Sequence, residues 1–315
     1  MASIGSAATT SAEAVRRGIS GRRMDVAGRL FEGVLLLSLL ISLAVLVTLL
    51  ADVTGRGMGV FVERGLGFVT APLSSDPGRA GIGQGVFGSL MLMLIVAVVA
   101  FPVGIGAAIY LEEYARDTRA TRFFTANIRN LAGVPSIVYG LLGLAVFVIA
   151  LRSLTGPQVV GRSILSGGLT LAIVVLPIVI ITASEALRAV PRGIREAAFG
   201  VGATRWQVVR SHVVPYAAPG ILTGTILAMA RAFGETAPLI MVGGAVSFLS
   251  TGDRGVLETL QGKYTTLPTS IYQWVQEPRR EFVELTAAGI IALLVTILLV
   301  NGLAIILRNR FARRW

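Results

Sequence analysis

The sequence predicts an all-α polytopic membrane protein with six transmembrane helices, and three observations carry that prediction. Hydrophobic residues make up 54% of the chain and charged residues 14%, whereas a soluble domain carries about a quarter charged residues. Six stretches almost free of Asp, Glu, Lys and Arg each hold the ~20 residues that cross a bilayer core as a helix. Lys and Arg are shared unevenly between the two sets of connections that those stretches define. A spanning segment must satisfy its backbone polar groups internally, which these runs do as helices. They lack the apolar–polar alternation of barrel strands.

Residues 1–29, rich in Ala, Ser, Thr, Gly and Arg, read as a mobile tail with a short interfacial helix near Met24–Arg29. The first span is expected at 30–51. Residues 52–80 are glycine-rich and contain Pro72 and Pro77, which predicts a loop. The second span is expected at 84–111. Its opening holds Gly83-Gln84-Gly85-Val86-Phe87-Gly88, a formal G-x-G-x-x-G. A dinucleotide fingerprint needs a preceding strand and a soluble βαβ unit. Here a loop precedes and a membrane helix follows, so the glycines read as a packing face.

Residues 112–129 mix Glu112, Glu113 and Asp117 with four arginines and predict an amphipathic connection at the membrane surface. Gly133-Val134-Pro135-Ser136 lies early in a third span, 130–151, since proline is tolerated near a helix start. The fourth span is expected at 165–186, followed by a basic loop, 188–215. The fifth is expected at 216–245 and the sixth at 285–307, so that 30–308 form one transmembrane domain and 309–315 a second tail. In the segment 246–284, Leu267-Pro268-Thr269-Ser270 and Tyr272 with Trp274 suggest a short helix in the interface or re-entering the membrane.

With six spans both termini share a side. Eighteen of the 28 Lys and Arg residues fall on that side and nine on the other. The positive-inside rule then puts both termini in the cytoplasm. Topology and attraction to anionic lipid account for the net charge of +11 without a nucleic acid. The chain has no Cys, which excludes disulfides and thiolate metal sites, and its single His, His212, cannot build a histidine-rich one. The first apolar run follows a polar tail and is long enough to span, so it reads as retained rather than as a cleaved signal. No G-x-x-x-x-G-K-[ST] occurs, and Gly262-Lys263-Tyr264 has neither the spacing nor the hydroxyl. The chain is therefore not read as an enzyme, and any ATP hydrolysis falls to another chain.

Two local patterns carry more chemistry. The first is Glu196-Ala197-Ala198, three residues, then Gly202, with Pro215 closing the loop. Strong helix formers, small alanines and a glycine able to turn left-handed predict two short helices joined into a rigid knob. Trp206, Val209 and Val213, at helical spacing, predict its apolar face. The second is Arg231 and Glu235, four apart inside a span and so on one helix face. Charges at such depth face a bundle interior or an aqueous path. The Arg231 fork suits an oxyanion, and Glu235 balances it or accepts from a protonated phosphate. A structural ion pair that fixes helix packing is the plainer reading of the same two residues. Pro238 removes a helical bond to the Gly234 carbonyl, and a helix weakened there suits a gate.

Glu196–Pro215 and the run Gly234-Glu235-Thr236-Ala237-Pro238-Leu239 resemble the PstA family, permease subunits of the bacterial phosphate-specific ABC importer. Supporting runs are Val134–Gly143 and Leu267–Tyr272, and the resemblance covers about residues 80–305. Where the family usually has Ile-x-Leu-Pro, this chain has His212-Val213-Val214-Pro215. The resemblance implies a type I ABC importer permease fold and phosphate as substrate. It implies that Glu196, Ala197, Ala198 and Gly202 couple to an ATPase, and that Arg231 and Glu235 occupy the family's intramembrane charged positions. The implied partners are a PstC-like permease subunit, a PstB-like ATPase dimer and a PstS-like phosphate-binding protein. This chain would bind no cofactor, and ATP and Mg would be used by the ATPase. A permease for another oxyanion or a phosphonate, or a membrane component of phosphate signalling, would share these patterns. An autonomous secondary transporter predicts inverted repeats and charges in several spans, which the sequence does not show.

Overall fold

The computed structural model describes residues 26–244 and 255–312. Most of the tail 1–29, the end of the second tail, and residues 245–254 of the expected fifth span and following segment lie outside the described residues. The chain divides after Asp52 into two units. Among the described residues five helices are long and apolar enough to cross a membrane, or six where the bent pair Arg119–Ala132 and Ser136–Ala150 counts as one span.

Helix α1 runs Val26–Arg64. Over residues 30–50 it presents apolar side chains that are exposed throughout, such as Leu39 and Leu46, a surface suited to lipid. The helix does not end near residue 51. It continues through the glycine-rich stretch, and a short α2 (Leu66–Thr70) follows a turn at Gly65. Part of the stretch 52–80 is thus helix rather than loop, and one of its glycines, Gly57, is closely packed. A Cβ on Gly57 would meet the Ala288 backbone nitrogen at 2.6 Å.

Helix α3 (Gly83–Ile109) passes into a π-helical turn at Tyr110–Tyr114. Its first glycines are packed as the sequence suggests. A Cβ on Gly83 would lie 2.6 Å from the Thr70 carbonyl oxygen, and one on Gly88 would run into that of Thr265. Helix α4 (Arg119–Ala132) is capped by Thr118, whose hydroxyl accepts from the Thr121 amide. It is amphipathic, with Phe123 and Phe124 exposed. Gly133–Pro135 then bend the chain by 103° into α5 (Ser136–Gly143), which continues π-helically through Ala150. The stretch expected as the third span, 130–151, is therefore not one continuous helix: residues 130–132 complete the amphipathic helix, and a new helix starts at Ser136. Tyr139 reaches back across the bend and donates to the Leu131 carbonyl at 2.8 Å.

A one-turn α6 (Arg152–Thr155) leads to α7 (Ile164–Arg188), whose apolar window is 67% buried, more than that of any other candidate span. Helix α7 packs against α3, α4 and α5. Small residues bring these axes close: a Cβ on Gly168 would meet Ile95 at 2.7 Å. Short helices α8 (Arg192–Gly200) and α9 (Arg205–Val208) follow, then a π-helical turn Val209–Val213 and α10 (Val214–Gly234). The fifth span does not run unbroken to 245. It stops at Glu235, and α11 (Ala237–Met241) starts a new helix beyond the break.

After α12 (Val256–Leu260), α13 (Leu267–Gln276) opens with a Thr266–Thr269 capping box and packs on α3 and on α14 (Glu281–Ala312). Its first residues, Leu267 to Ser270, are buried. Tyr272 is exposed, but Trp274 is 4% exposed and sits between Phe68 and Phe282, at 6.3 and 6.4 Å. The two aromatics expected to act together thus point to different surroundings.

Candidate functional site

The expected knob forms between α8 and α9. Helix α8 ends in a Schellman turn: the Ala203 amide donates to the Ala198 carbonyl at 3.1 Å and the Gly202 amide to that of Phe199 at 2.9 Å. The residue at the left-handed position is Gly202, with φ 84°. Directly after it, Thr204 caps α9 and Gln207 returns the bond to the Thr204 amide at 2.8 Å. Two local motifs in sequence shape the turn between the helices.

The knob's faces differ from the expectation. Val208, Val209 and Val213 are buried, whereas Trp206 is 59% exposed. Glu196, Ala197 and Gly202 are exposed, as are Phe199 and Val201. Ala198 is buried at 6% exposure, so it packs the knob inward rather than offering a surface. His212 is exposed, on the outer side of the π-helical turn, so the departure from an apolar residue there leaves the packing of Val213 intact.

Below the knob, one apolar cluster gathers Ala108 of α3, Ile180 and Leu187 of α7, Ala198, Val208, and Ile221 of α10. Two ion pairs flank it. The Arg188 guanidinium, at the end of α7, donates to both oxygens of Glu112 at 2.8 Å. Arg195 of α8 donates to Glu113 Oε1 at 2.7 Å and to the carbonyls of Leu187 and Val190 at 2.9 and 2.7 Å. Arg205 lies over the Tyr114 ring at 5.6 Å. Sequence reading placed all these residues in connections but not together. Their partners are 76 and 82 positions apart.

The second pattern lies at the far end of the rod that leaves the knob. From Arg205 to Gly234 the chain is helical over 30 residues, a length of about 45 Å. Arg231 is in its last turn, and Glu235, with extended backbone, caps it. Arg231 Nε lies 3.6 Å from Glu235 Oε1, with the side chains 55% and 16% exposed. The two are therefore paired, but across a helix end rather than along one face of a continuous helix. A cation in the last turn complements the helix dipole, and about half of the Arg231 side chain remains exposed.

Pro238 does not weaken a running helix. The backbone has already left it at Glu235, and Pro238 lies in the first turn of α11, where its missing N–H costs nothing. It is buried, and α5 packs directly upon it: a Cβ on Gly140 would lie 2.7 Å from the Pro238 Cα. Helix α11 ends in its own Schellman turn, with Gly244 donating to Leu239 at 2.7 Å and Gly243 at φ 98°. The fifth span is thus interrupted by a defined break with a charged pair at its edge. Among the described residues no group of three or more His, Cys, Asp or Glu side chains that could hold a metal ion comes together.

Residues 100–314 match the model of the family described as "Binding-protein-dependent transport system inner membrane component". The probable ABC transporter permease protein YqgI of Bacillus subtilis is 36% identical over 177 residues, which cover 56% of this chain and 58% of that protein. The phosphate transport system permease protein PstA of Yersinia pestis is 32% identical over 260 residues, 82% of this chain and 80% of the relative. The chain thus spans little more than half the length of the first of these and most of the second. Among solved structures, an inward-facing conformation of the MetNI methionine ABC transporter aligns with a TM-score of 0.56 at 17% identity, covering 73% of this chain and 95% of that one. This last likeness shows the fold.

Proposed function

Since this chain belongs to the binding-protein-dependent transport inner membrane component family, we propose that it is the permease subunit of an ATP-driven inorganic phosphate importer. The family is one of multi-pass membrane proteins that transport without hydrolysing ATP themselves. The similarity to PstA over 82% of the chain is the observation that carries the choice of phosphate. Arg231 supplies the chemistry: a planar fork of donors matched to an oxyanion, beside a carboxylate that holds its charge when no anion is bound.

The coupling reading is supported by the construction of the knob. Glu196, Ala197, Phe199, Val201, Gly202 and Trp206 form an exposed surface, polar at one end and apolar at the other, for an ATPase to grip. Closure of an ATPase dimer on ATP would displace that surface. The Arg195–Glu113 and Arg188–Glu112 pairs would carry the displacement to α3 and α7. The rod from Arg205 would carry it to the break at Glu235, changing which side Arg231 faces. Pro238, packed on α5, would hold the far edge of the break fixed while the near edge moves.

In this scheme the knob and both termini face the cytoplasm of a bacterial cell, following the excess of Lys and Arg on that side. A second permease subunit of PstC type, two ATPase subunits of PstB type and an external phosphate-binding protein of PstS type complete the machine. Reconstitution of these chains in proteoliposomes tests the substrate. Phosphate uptake that sulfate and phosphonate fail to inhibit supports the reading, and uptake inhibited equally by either of them sinks it.

A further inference from the structure

A cleft of about 550 Å³ opens between α4 and the π-helical end of α3, beside the Arg188–Glu112 pair that flanks the knob. Openings of this size hold small ligands. Arg116, Arg122, Arg129 and Arg188 line it, with Glu112 and Asp117 as its carboxylates. Both carboxylates are engaged. Glu112 takes both bonds from Arg188 at 2.8 Å, and Asp117 faces Arg122 at 3.5 Å. Arg116 and Arg129 are exposed and, among the described residues, paired with no carboxylate. The cleft therefore keeps two uncompensated guanidinium groups.

Local structure sets where those two groups stand. The Arg116 carbonyl accepts from the Thr118 amide and from the Thr121 hydroxyl, both at 2.8 Å, which holds Arg116 over the first turn of α4. Arg129 lies in the last turn of the same helix. Thr125 and Asn130 add neutral polar groups to the wall they share. The apolar extension of the cleft, a seam past Ile128 and Ile181, has room of about 20 Å³. That is space for about one water and not for a hydrocarbon chain, so the occupant is confined to the arginine-lined part. A carboxylate offers one edge, and in Glu112 a single guanidinium already takes both oxygens. A tetrahedral oxyanion presents oxygens on every side and accepts from two separate arginines.

We propose that this cleft is a binding site for a free, phosphate-type oxyanion, held between Arg116 and Arg129 and competing with Glu112 for Arg188. The site is separate from Arg231 and does not depend on which substrate the protein carries. Arg188 serves both the cleft and the pair that joins α3 to the end of α7. Occupancy of the cleft and closure of that pair therefore oppose each other, and by linkage any change that releases Arg188 from Glu112 tightens the anion.

The test measures binding of radiolabelled inorganic phosphate to the full-length chain in phosphatidylcholine nanodiscs. Every sample carries Arg231→Ala, so that the break in the fifth span contributes nothing. The site predicts saturable binding, weakened about tenfold or more by Arg116→Ala/Arg129→Ala and largely kept by Arg116→Lys/Arg129→Lys. Glu112→Gln, which frees Arg188, strengthens it severalfold. Arg79→Ala/Arg152→Ala removes the same charge outside the cleft and leaves binding unchanged. Equal binding by the parent and the Arg116→Ala/Arg129→Ala variant overturns the proposal, as does weaker binding by Glu112→Gln. Absence of saturable binding to the parent overturns it as well. Phosphatidylglycerol retained through Arg116 and Arg129 would then mark a lipid headgroup site, and loss of ATPase co-purification in the Arg116→Ala/Arg129→Ala variant a protein contact.

Discussion

Arg195 of α8 and Glu113 at the end of α3 form a 2.7 Å ion pair that is largely out of water, the two side chains being 22% and 9% exposed. The same guanidinium donates to two carbonyls at the end of α7. One side chain thus joins the knob to two spans. Removing one partner of a buried pair is costly, because the other is left uncompensated. Arg195→Ala and Glu113→Ala each lower the thermal midpoint of the purified protein, and a double-mutant cycle gives a clear coupling energy. The exposed Arg122–Asp117 pair at 3.5 Å yields at most ~1 kcal/mol in the same cycle. Equal couplings would mean that the clamp is not buried as described.

Gly202 needs its backbone conformation and not its small size, since nothing lies within 4 Å of a Cβ placed there. A β-branched residue in the left-handed region costs about 1–2 kcal/mol. Gly202→Val therefore leaves membrane insertion intact and raises the ATP hydrolysed per substrate transported. Gly202→Asn, which tolerates the conformation, stays near wild type in the same ratio.

Neighbouring alanines of the knob separate packing from docking. Ala198 is buried and Ala197 exposed. Ala198→Leu overpacks the cluster beneath the knob and lowers stability by ~1–3 kcal/mol. Ala197→Leu keeps the thermal midpoint and weakens association with the ATPase, measured by co-purification.

The glycines at the start of α3 answer to helix packing and not to a nucleotide. Gly88→Ala drives a methyl into the Thr265 carbonyl and strongly destabilises the protein, while Gly106→Ala, with nothing within 4 Å, is neutral or slightly stabilising in a thermal melt.

Long charge-free runs made most spans legible. The fourth was expected at 165–186 and lies at Ile164–Arg188. Hydropathy fails where a charge-free window covers a change of direction. Asn130–Ala132 carry no charge, yet they finish the amphipathic helix before the 103° bend. Glycine content misled in the opposite sense at residues 55–59, which are helical, with Gly57 alone of the three glycines there closely packed, against α14. Within the knob, local motifs announced the turn at Gly202. The spacing of Trp206, Val209 and Val213 did not reveal that a π-helical turn starts at Val209, so a face drawn at 3.6 residues per turn put Trp206 inside. The clamp of Arg188 and Arg195 on Glu112 and Glu113 depends on contacts between distant segments, which no local pattern encodes.

Arg231 is where the substrate reading is most exposed to failure. The most direct measurement is radiolabelled phosphate uptake by proteoliposomes that hold this chain, its partner permease, the ATPase and the binding protein, comparing wild type with Arg231→Ala and Arg231→Lys at matched protein levels. The account predicts uptake abolished in Arg231→Ala and reduced in Arg231→Lys, which keeps the charge but loses the fork. Uptake by Arg231→Ala equal to wild type would contradict it and leave Arg231 and Glu235 as a structural pair.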